Sequence, residues 1–126
     1  MSKFEVSEEI RRNFHLFWDN FPAAVMLVYK DRTILDRNKA AQEVEAMACA
    51  KCSDIGDKSQ HTRCLAGIAL REQTAQRRVE LYEPYGLVLD SYWIPLAGQE
   101  DVYLHFGIDI SEYAAERLFQ PAGNQK

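Results

Sequence analysis

The sequence has little proline and glycine: only four prolines and six glycines occur among its 126 residues. With so few of these residues the chain has no Pro-rich or Gly-rich linker, so nothing indicates a division into separate domains. Long apolar runs are also missing. The longest, residues 23–29, is much shorter than the roughly 20 apolar residues that span a bilayer as a helix. We therefore expect one soluble domain over residues 1–126.

A surplus of basic residues is also missing. The chain has 15 Lys and Arg against 19 Asp and Glu, which gives a formal net charge of -4. Because phosphate binding requires a basic surface, we expect no nucleic-acid partner. The first residues, MSKFEVSEEIRRN, lack the apolar segment of a secretory signal. These absences predict a cytoplasmic protein with no membrane partner.

Cysteine is absent everywhere except in one short segment, where three cysteines stand close to a histidine. The four residues are Cys49, Cys52, His61 and Cys64, in the pattern C-x2-C-x8-H-x2-C. Cytoplasmic cysteines stay reduced, which favours metal or thiol chemistry over disulfides. Thiolate and imidazole are the ligands that tetrahedral zinc prefers, and two closely spaced pairs can supply four of them. We predict that these four residues bind zinc.

Other interpretations of the cysteine segment remain open. Three cysteines and one histidine can also hold an iron–sulfur cluster. The cysteines could instead form a redox- or metal-responsive thiol switch, although the C-x2-C pair follows a predicted helix rather than a strand. They could also be ordinary buried thiols without a metal. If His61 points away from the site, Asp54 and Asp57 are alternative oxygen ligands.

The N-terminal segment has the pattern of an amphipathic helix over residues 7–20. Ser7 is a good N-cap, and two glutamates follow it where the helix dipole favours negative charge. Large apolar residues recur every three or four positions, and Pro22 ends the pattern. Because an exposed aromatic stripe commonly marks an interface, we expect a homodimer built on this helix. The predicted interface residues are Ile10, Phe14, Phe17 and Trp18.

The first half of the chain then predicts two strands and two short helices. Residues 23–29 and 33–36 have the length of strands, with a turn at 30–32. Asn38 can cap a short helix reaching residue 47, and residues 65–72 fit another after the cysteine segment.

The second half of the chain has the sequence pattern of a β-meander. The predicted strands are residues 77–83, 87–96 and 102–108. Turns at 84–86 and 98–100 make these strands antiparallel neighbours. We expect a final helix at 111–119, capped by a serine, and a frayed tail at 120–126. The whole order predicts an α+β fold with a five-stranded antiparallel sheet and short helices on one face.

Two stretches of the chain resemble the opening and the close of the PAS family, a group of sensory domains in bacterial and other signalling proteins. In the first stretch an apolar strand, a turn and a strand ending near Asn38 lead into a helix. In the second stretch Pro95-Leu96 ends the penultimate strand, and Asp109-Ile110-Ser111 forms the exit. The stretches are WDNFPAAVMLVYKDRTILDRNKAAQEV and SYWIPLAGQEDVYLHFGIDIS. The resemblance spans residues 10–118, and the middle resembles the cysteine-rich variant of bacterial PAS domains.

The resemblance implies a non-enzymatic sensory or protein-interaction module with flanking N- and C-terminal helices. It implies signalling through those helices and a dimer interface, with a separate signalling output protein as a possible partner. It also implies a small-ligand pocket between sheet and helices, and a ligand-binding domain without metal is an alternative. No flavin or haem is assigned, because HTRCLAG matches the flavin-binding branch only at Cys64-Leu65. The predicted pocket residues are Val79, Leu81, Tyr92, Trp93, Leu104 and Phe106.

Catalytic motifs are missing from the sequence. It contains no nucleophile elbow, P-loop or dinucleotide-binding glycine motif. A closed four-ligand zinc site leaves no position for substrate or water. We expect His15 and His105 to be structural rather than haem ligands. The sequence therefore predicts no catalytic residues and no enzymatic activity, and a small enzyme of another α+β fold is the alternative.

Overall fold

The computed structural model describes residues 6–44 and 64–120 of the chain. They form a five-stranded antiparallel sheet with strand order β2-β1-β5-β4-β3. The helices are α1 (Glu8–Trp18), α2 (Lys39–Gln42) and α3 (Ala66–Glu72). The strands are β1 (Val25–Tyr29), β2 (Ile34–Arg37), β3 (Gln76–Tyr82), β4 (Leu87–Leu96) and β5 (Gln99–Asp109). The prediction of an α+β fold with this kind of sheet is confirmed.

Helix α1 begins where the sequence predicts. The Ser7 side chain accepts a hydrogen bond from the backbone N–H of Ile10 at 3.2 Å, which satisfies one of the open donors of the first turn. The helix ends at Trp18, and the chain turns through Asp19 before it reaches Pro22. Its amphipathic pattern buries Phe14 against the sheet.

Tight turns join the last three strands, as predicted. A short 3-10 turn at Glu83–Tyr85 is followed by Gly86, whose φ of 62° is a left-handed conformation that glycine adopts at little cost. Strands β4 and β5 are joined by a two-residue turn in which Gly98 has a φ of 80°. Strand β5 therefore begins at Gln99, earlier than the predicted residue 102.

The C-terminal segment is helical but does not form the single helix predicted over 111–119. It contains two 3-10 turns, Ser111–Tyr113 and Glu116–Phe119, and the two alanines between them are extended. Ser111 was expected to cap a helix. Its hydroxyl instead accepts the N–H of Val88 at 2.8 Å and donates to Asp109 at 2.6 Å. The serine therefore links the start of the C-terminal segment to β4 by a hydrogen bond.

Apolar residues cover both faces of the sheet. On the face that packs against α1, which we name the α1 face, Leu27 and Leu104 join Phe14 in one cluster. On the opposite face, which we name the α3 face, Met26 and Tyr103 join the fully buried Ala69 of α3. Residues 6–44 and 64–120 contain no helix with the length and apolar character needed to cross a membrane.

Asn38 is fully buried, with 0% of its surface exposed, and its side chain makes four hydrogen bonds. The side-chain oxygen accepts from the N–H groups of Val25 at 2.8 Å and Ala41 at 3.0 Å. The amide nitrogen donates to the carbonyls of Trp18 at 2.9 Å and Ala23 at 3.0 Å. These bonds use the full donor and acceptor capacity of the amide. One side chain thus joins the end of α1, the start of β1 and the first turn of α2.

We predict that Asn38→Ala lowers the free energy of unfolding by about 3 kcal/mol, because four backbone groups lose their partner, two of them in buried and two in partly buried hydrogen bonds. The matched control is Asn20→Ala, since Asn20 is exposed; it should change stability by less than about 0.5 kcal/mol. Urea denaturation measures both. A loss below about 1 kcal/mol for Asn38→Ala would show that these bonds contribute little.

Candidate functional site

The predicted metal site is described at only one of its four ligands. Cys49, Cys52 and His61 lie outside the described residues. Cys64 is a half-buried free cysteine immediately before α3. Within residues 6–44 and 64–120 no group of three or more potential ligands converges on a metal position. The zinc site remains a prediction.

The position of Cys64 links the cysteine segment to the α3 face. Its side chain packs against the buried cluster that contains Met26, Trp93 and Tyr103. Two residues further on, Ala66 begins α3 and is fully buried in the same cluster. A group bound to the Cys64 sulfur would therefore lie next to this buried cluster.

The six residues predicted to line one pocket do not share a face of the sheet. Tyr92 pairs with Phe106, and both pack on the α1 face. Trp93 pairs with His105 and packs on the α3 face. By the alternation of strands, Val79, Leu81 and Leu104 lie on the Tyr92 side. Among the described elements these six residues do not line a single cavity, because Tyr92 and Trp93 are consecutive in one strand.

On the α3 face, Trp93 and His105 stack in nearly parallel planes. Their ring centroids are 4.8 Å apart and the planes differ by 14°. The His105 Nδ1 donates a hydrogen bond to the carbonyl of Tyr92 at 2.9 Å. The imidazole is thus held by a ring and a backbone group, which is the structural role predicted for it.

On the α1 face, the side chains predicted to form a dimer interface divide into two groups. Phe14 is only 4% exposed, and Ile10 and Trp18 are half-buried against the same core. Phe17 is 74% exposed, and its neighbour Leu16, which the sequence analysis did not select, is 73% exposed. An open groove of about 260 Å³ lies beside Phe17, between α1 and the turn that joins β4 to β5. Phe14 is therefore a core residue of its own domain, and the exposed apolar surface of α1 is Leu16 and Phe17.

A polar cluster joins α1 to β2. The His15 Nδ1 lies 2.7 Å from Asp19 Oδ1, and its Nε2 lies 2.9 Å from Asp36 Oδ2. Arg11 donates to the same Asp36 oxygen at 3.3 Å and to the carbonyl of Leu35 at 2.6 Å. Hydrogen bonding to Asp19 is the largest cause that raises the pKa of His15 above 6.5, with Asp36 adding to it against a lowering by burial. Both ring nitrogens are engaged by carboxylates, so His15 is not placed to act on a substrate.

Sequence reasoning missed most of this polar cluster. The spacing of His15 and Asp19 by four positions places them on the same side of a helix, which the sequence shows. The contact with Asp36 is long-range and depends on how α1 packs against β2, which no local pattern reveals.

A second polar contact on the α1 face joins the edge strand β3 to β4. Arg77 of β3 forms a two-point ion pair with Asp90 of β4, at 2.7 Å from Nε and 3.0 Å from Nη2. The Tyr92 hydroxyl donates to Asp90 at 3.1 Å, and the Arg77 guanidinium lies 5.6 Å from the Tyr92 ring centre. Because Asp90 is buried and both of its carboxylate oxygens accept hydrogen bonds, this arrangement stabilises strand pairing.

Comparisons with known proteins support the fold. The chain is similar to the crystal structure of a domain of an HTR-like protein from Haloarcula marismortui ATCC 43049, with a TM-score of 0.56 and 19% sequence identity. The match covers 71% of this chain and 98% of that domain. No protein-family model matches the sequence, and no curated protein matches it either. At this identity the likeness concerns the fold alone.

We predict opposite outcomes for two phenylalanines of α1. Phe14→Ala should lower the free energy of unfolding by about 3 to 5 kcal/mol, because it leaves a cavity in the α1-face core. Phe17→Ala should change it by less than about 0.5 kcal/mol, since the ring is exposed in the single chain. Thermal and urea unfolding of both variants, at a concentration where the protein is monomeric, checks this. Equal losses would contradict the orientation of α1.

Proposed function

We propose that this protein is a non-enzymatic, cytoplasmic sensory or interaction module of the PAS type. The observation that carries the proposal is the five-stranded antiparallel sheet with α3 packed on one face and Cys64 leading into it. The sequence resemblance over residues 10–118 supports the same assignment.

The sensory element that we propose is a zinc ion held by Cys49, Cys52, His61 and Cys64. Support comes from the ligand types, their spacing, and the absence of cysteine elsewhere in the chain. Cys64 connects this segment to α3, whose buried alanines contact the sheet. Binding or release of metal would therefore change how firmly the start of α3 is held and, as a result, how α3 packs against the sheet.

A thiol switch that uses the same cysteines is the second candidate function. It is favoured by the state of Cys64, which is a free cysteine with part of its surface open to solvent. Oxidation requires such access. A zinc site that releases its metal on oxidation would combine the two functions.

We predict about one zinc per chain in protein purified without chelator, because four soft or borderline ligands complete a tetrahedral shell. Cys52→Ser, Cys64→Ser and His61→Gln should each reduce the bound zinc and lower the melting temperature, since metal binding contributes to folding. Ser59→Ala, which removes no predicted ligand, is the matched control. Metal content is measured by inductively coupled plasma mass spectrometry.

Metal-free protein with a melting temperature that chelators do not change would contradict the zinc site. If the metal is absent but mild oxidant changes the melting temperature of the native chain and not of Cys64→Ser, the thiol switch is the correct function. If iron and sulfide are found together, the site is an iron–sulfur cluster.

We further propose that the chain forms a homodimer through the exposed apolar surface of Leu16 and Phe17. These two consecutive large side chains are 73% and 74% exposed, and Phe17 also lines the open groove between α1 and the turn that joins β4 to β5. A separate signalling output protein is the other partner that we propose for this module. Nucleic acid is not proposed as a partner, because the net charge is -4.

We predict that the double variant Leu16→Ser, Phe17→Ser shifts the dimer towards monomer, because both changes remove apolar surface from the interface. Multi-angle light scattering across a concentration series measures the shift. Tyr113→Ser, a change at a tyrosine that is 84% exposed on the exit segment, serves as control and should leave the dimer intact. A native chain that stays monomeric at high concentration would contradict the homodimer.

A further inference from the structure

One titratable ring lies in the polar contact between α1 and β2. His15 lies between two carboxylates, Asp19 from the end of α1 and Asp36 from β2, at 2.7 and 2.9 Å. Arg11, one turn earlier in α1, reaches Asp36 at 3.3 Å, and the rings of Phe14 and His15 pack in a T-shaped arrangement at a centroid distance of 5.2 Å. The His15 side chain is one-third exposed, at 32%, so protons can exchange with solvent.

The chemistry of imidazole makes this arrangement sensitive to protonation. A carboxylate only accepts hydrogen bonds, so a ring that bonds to two carboxylates must donate from both nitrogens. Imidazolium does so, whereas neutral imidazole has a single N–H and turns a lone pair towards one of the two carboxylates. Loss of the proton therefore replaces one charge-assisted hydrogen bond by a repulsive contact.

We propose that the protonated His15 side chain bridges α1 and β2, and that this bridge weakens when the ring loses its proton. When His15 is protonated, it bonds to Asp19 and to Asp36. When it is neutral, it keeps one of these bonds, and the C-terminal half of α1 is held by its apolar contacts and by Asn38. The proposal concerns a pH response of α1 and goes beyond the sensory role proposed above, on which it does not depend.

The charges that face the cluster come from the two elements packed there. From α1 they are Asp19 and Arg11, and from β2 the charge is Asp36. Asp36 also accepts the backbone N–H of Arg37 at 2.8 Å. The carbonyl end of α1 further favours a cation at this position. Arg11 opposes the protonated ring but also keeps Asp36 paired after the ring loses its proton.

The direction of the pH effect follows from the pKa of His15, which is raised above 6.5 by the hydrogen bond to Asp19 and by Asp36. A group whose pKa is higher in the folded state stabilises the fold at pH values below its unfolded pKa. That contribution is lost as the pH rises through the raised pKa. We therefore expect α1 to be held most firmly below pH 6.5 and to loosen as the pH rises through the raised pKa of His15.

The test combines a titration of His15 with hydrogen exchange of α1 in the full chain. We expect the NMR signal of the His15 ring to titrate with a pKa above 6.5. Asp19→Asn and Asp36→Asn should each lower that pKa, because each removes a hydrogen bond and a negative charge that raise it. Between roughly pH 6 and roughly pH 9, the amides of residues 14–18 should lose protection severalfold, after correction for intrinsic exchange.

His15→Gln should have weaker protection at low pH and no transition. Lys30→Gln, which breaks an exposed ion pair with Asp101 at 3.6 Å, is the matched control and should keep the transition of the native chain. A His15 pKa at or below 6.5, or protection of α1 that does not change across the titration, would overturn the proposal. If His15→Gln does not fold, the pKa of His15 in the Asp19→Asn variant still decides it.

Discussion

A single buried amide fixes how the first third of this molecule is assembled. Asn38 binds the end of α1 through the carbonyl of Trp18, the start of β1 through Val25 and Ala23, and the first turn of α2 through Ala41. The direction in which α1 leaves the sheet therefore depends on this residue. Burying the Asn38 amide without hydrogen-bond partners would cost several kcal/mol. The amide is therefore stable in the core only when the surrounding backbone supplies all four partners.

The sheet separates two regions that we propose to be functional. On one face, α1 carries His15, which bridges to β2, and the exposed Phe17. On the other face, Cys64 leads into α3. Strands β1 and β5 contribute side chains to both clusters, since successive residues point to opposite faces. Strands β1 and β5 therefore connect the packing of α1 on one face with the packing of α3 on the other.

Local chemistry made part of the structure predictable. The capping role of Asn38 and the bounds of β4 at residues 87–96 follow from residue type and alternation, and the structure has both. The predicted pocket residues come from both faces of the sheet, because alternation along β4 places Tyr92 and Trp93 on opposite faces. Other features depend on tertiary packing, such as the burial of Phe14 and the contact of His15 with Asp36. Three of the predicted zinc ligands lie outside the described residues, so their support comes from the sequence pattern alone.

The coordination shell of the bound metal tests the central claim most directly. X-ray absorption at the zinc edge of the purified protein should show three sulfur atoms at about 2.3 Å and one nitrogen at about 2.0 Å. That shell would assign the three sulfur ligands to Cys49, Cys52 and Cys64, because no cysteine occurs outside residues 49–64. A shell of oxygen and nitrogen atoms alone, or protein without a stoichiometric metal, would contradict the account.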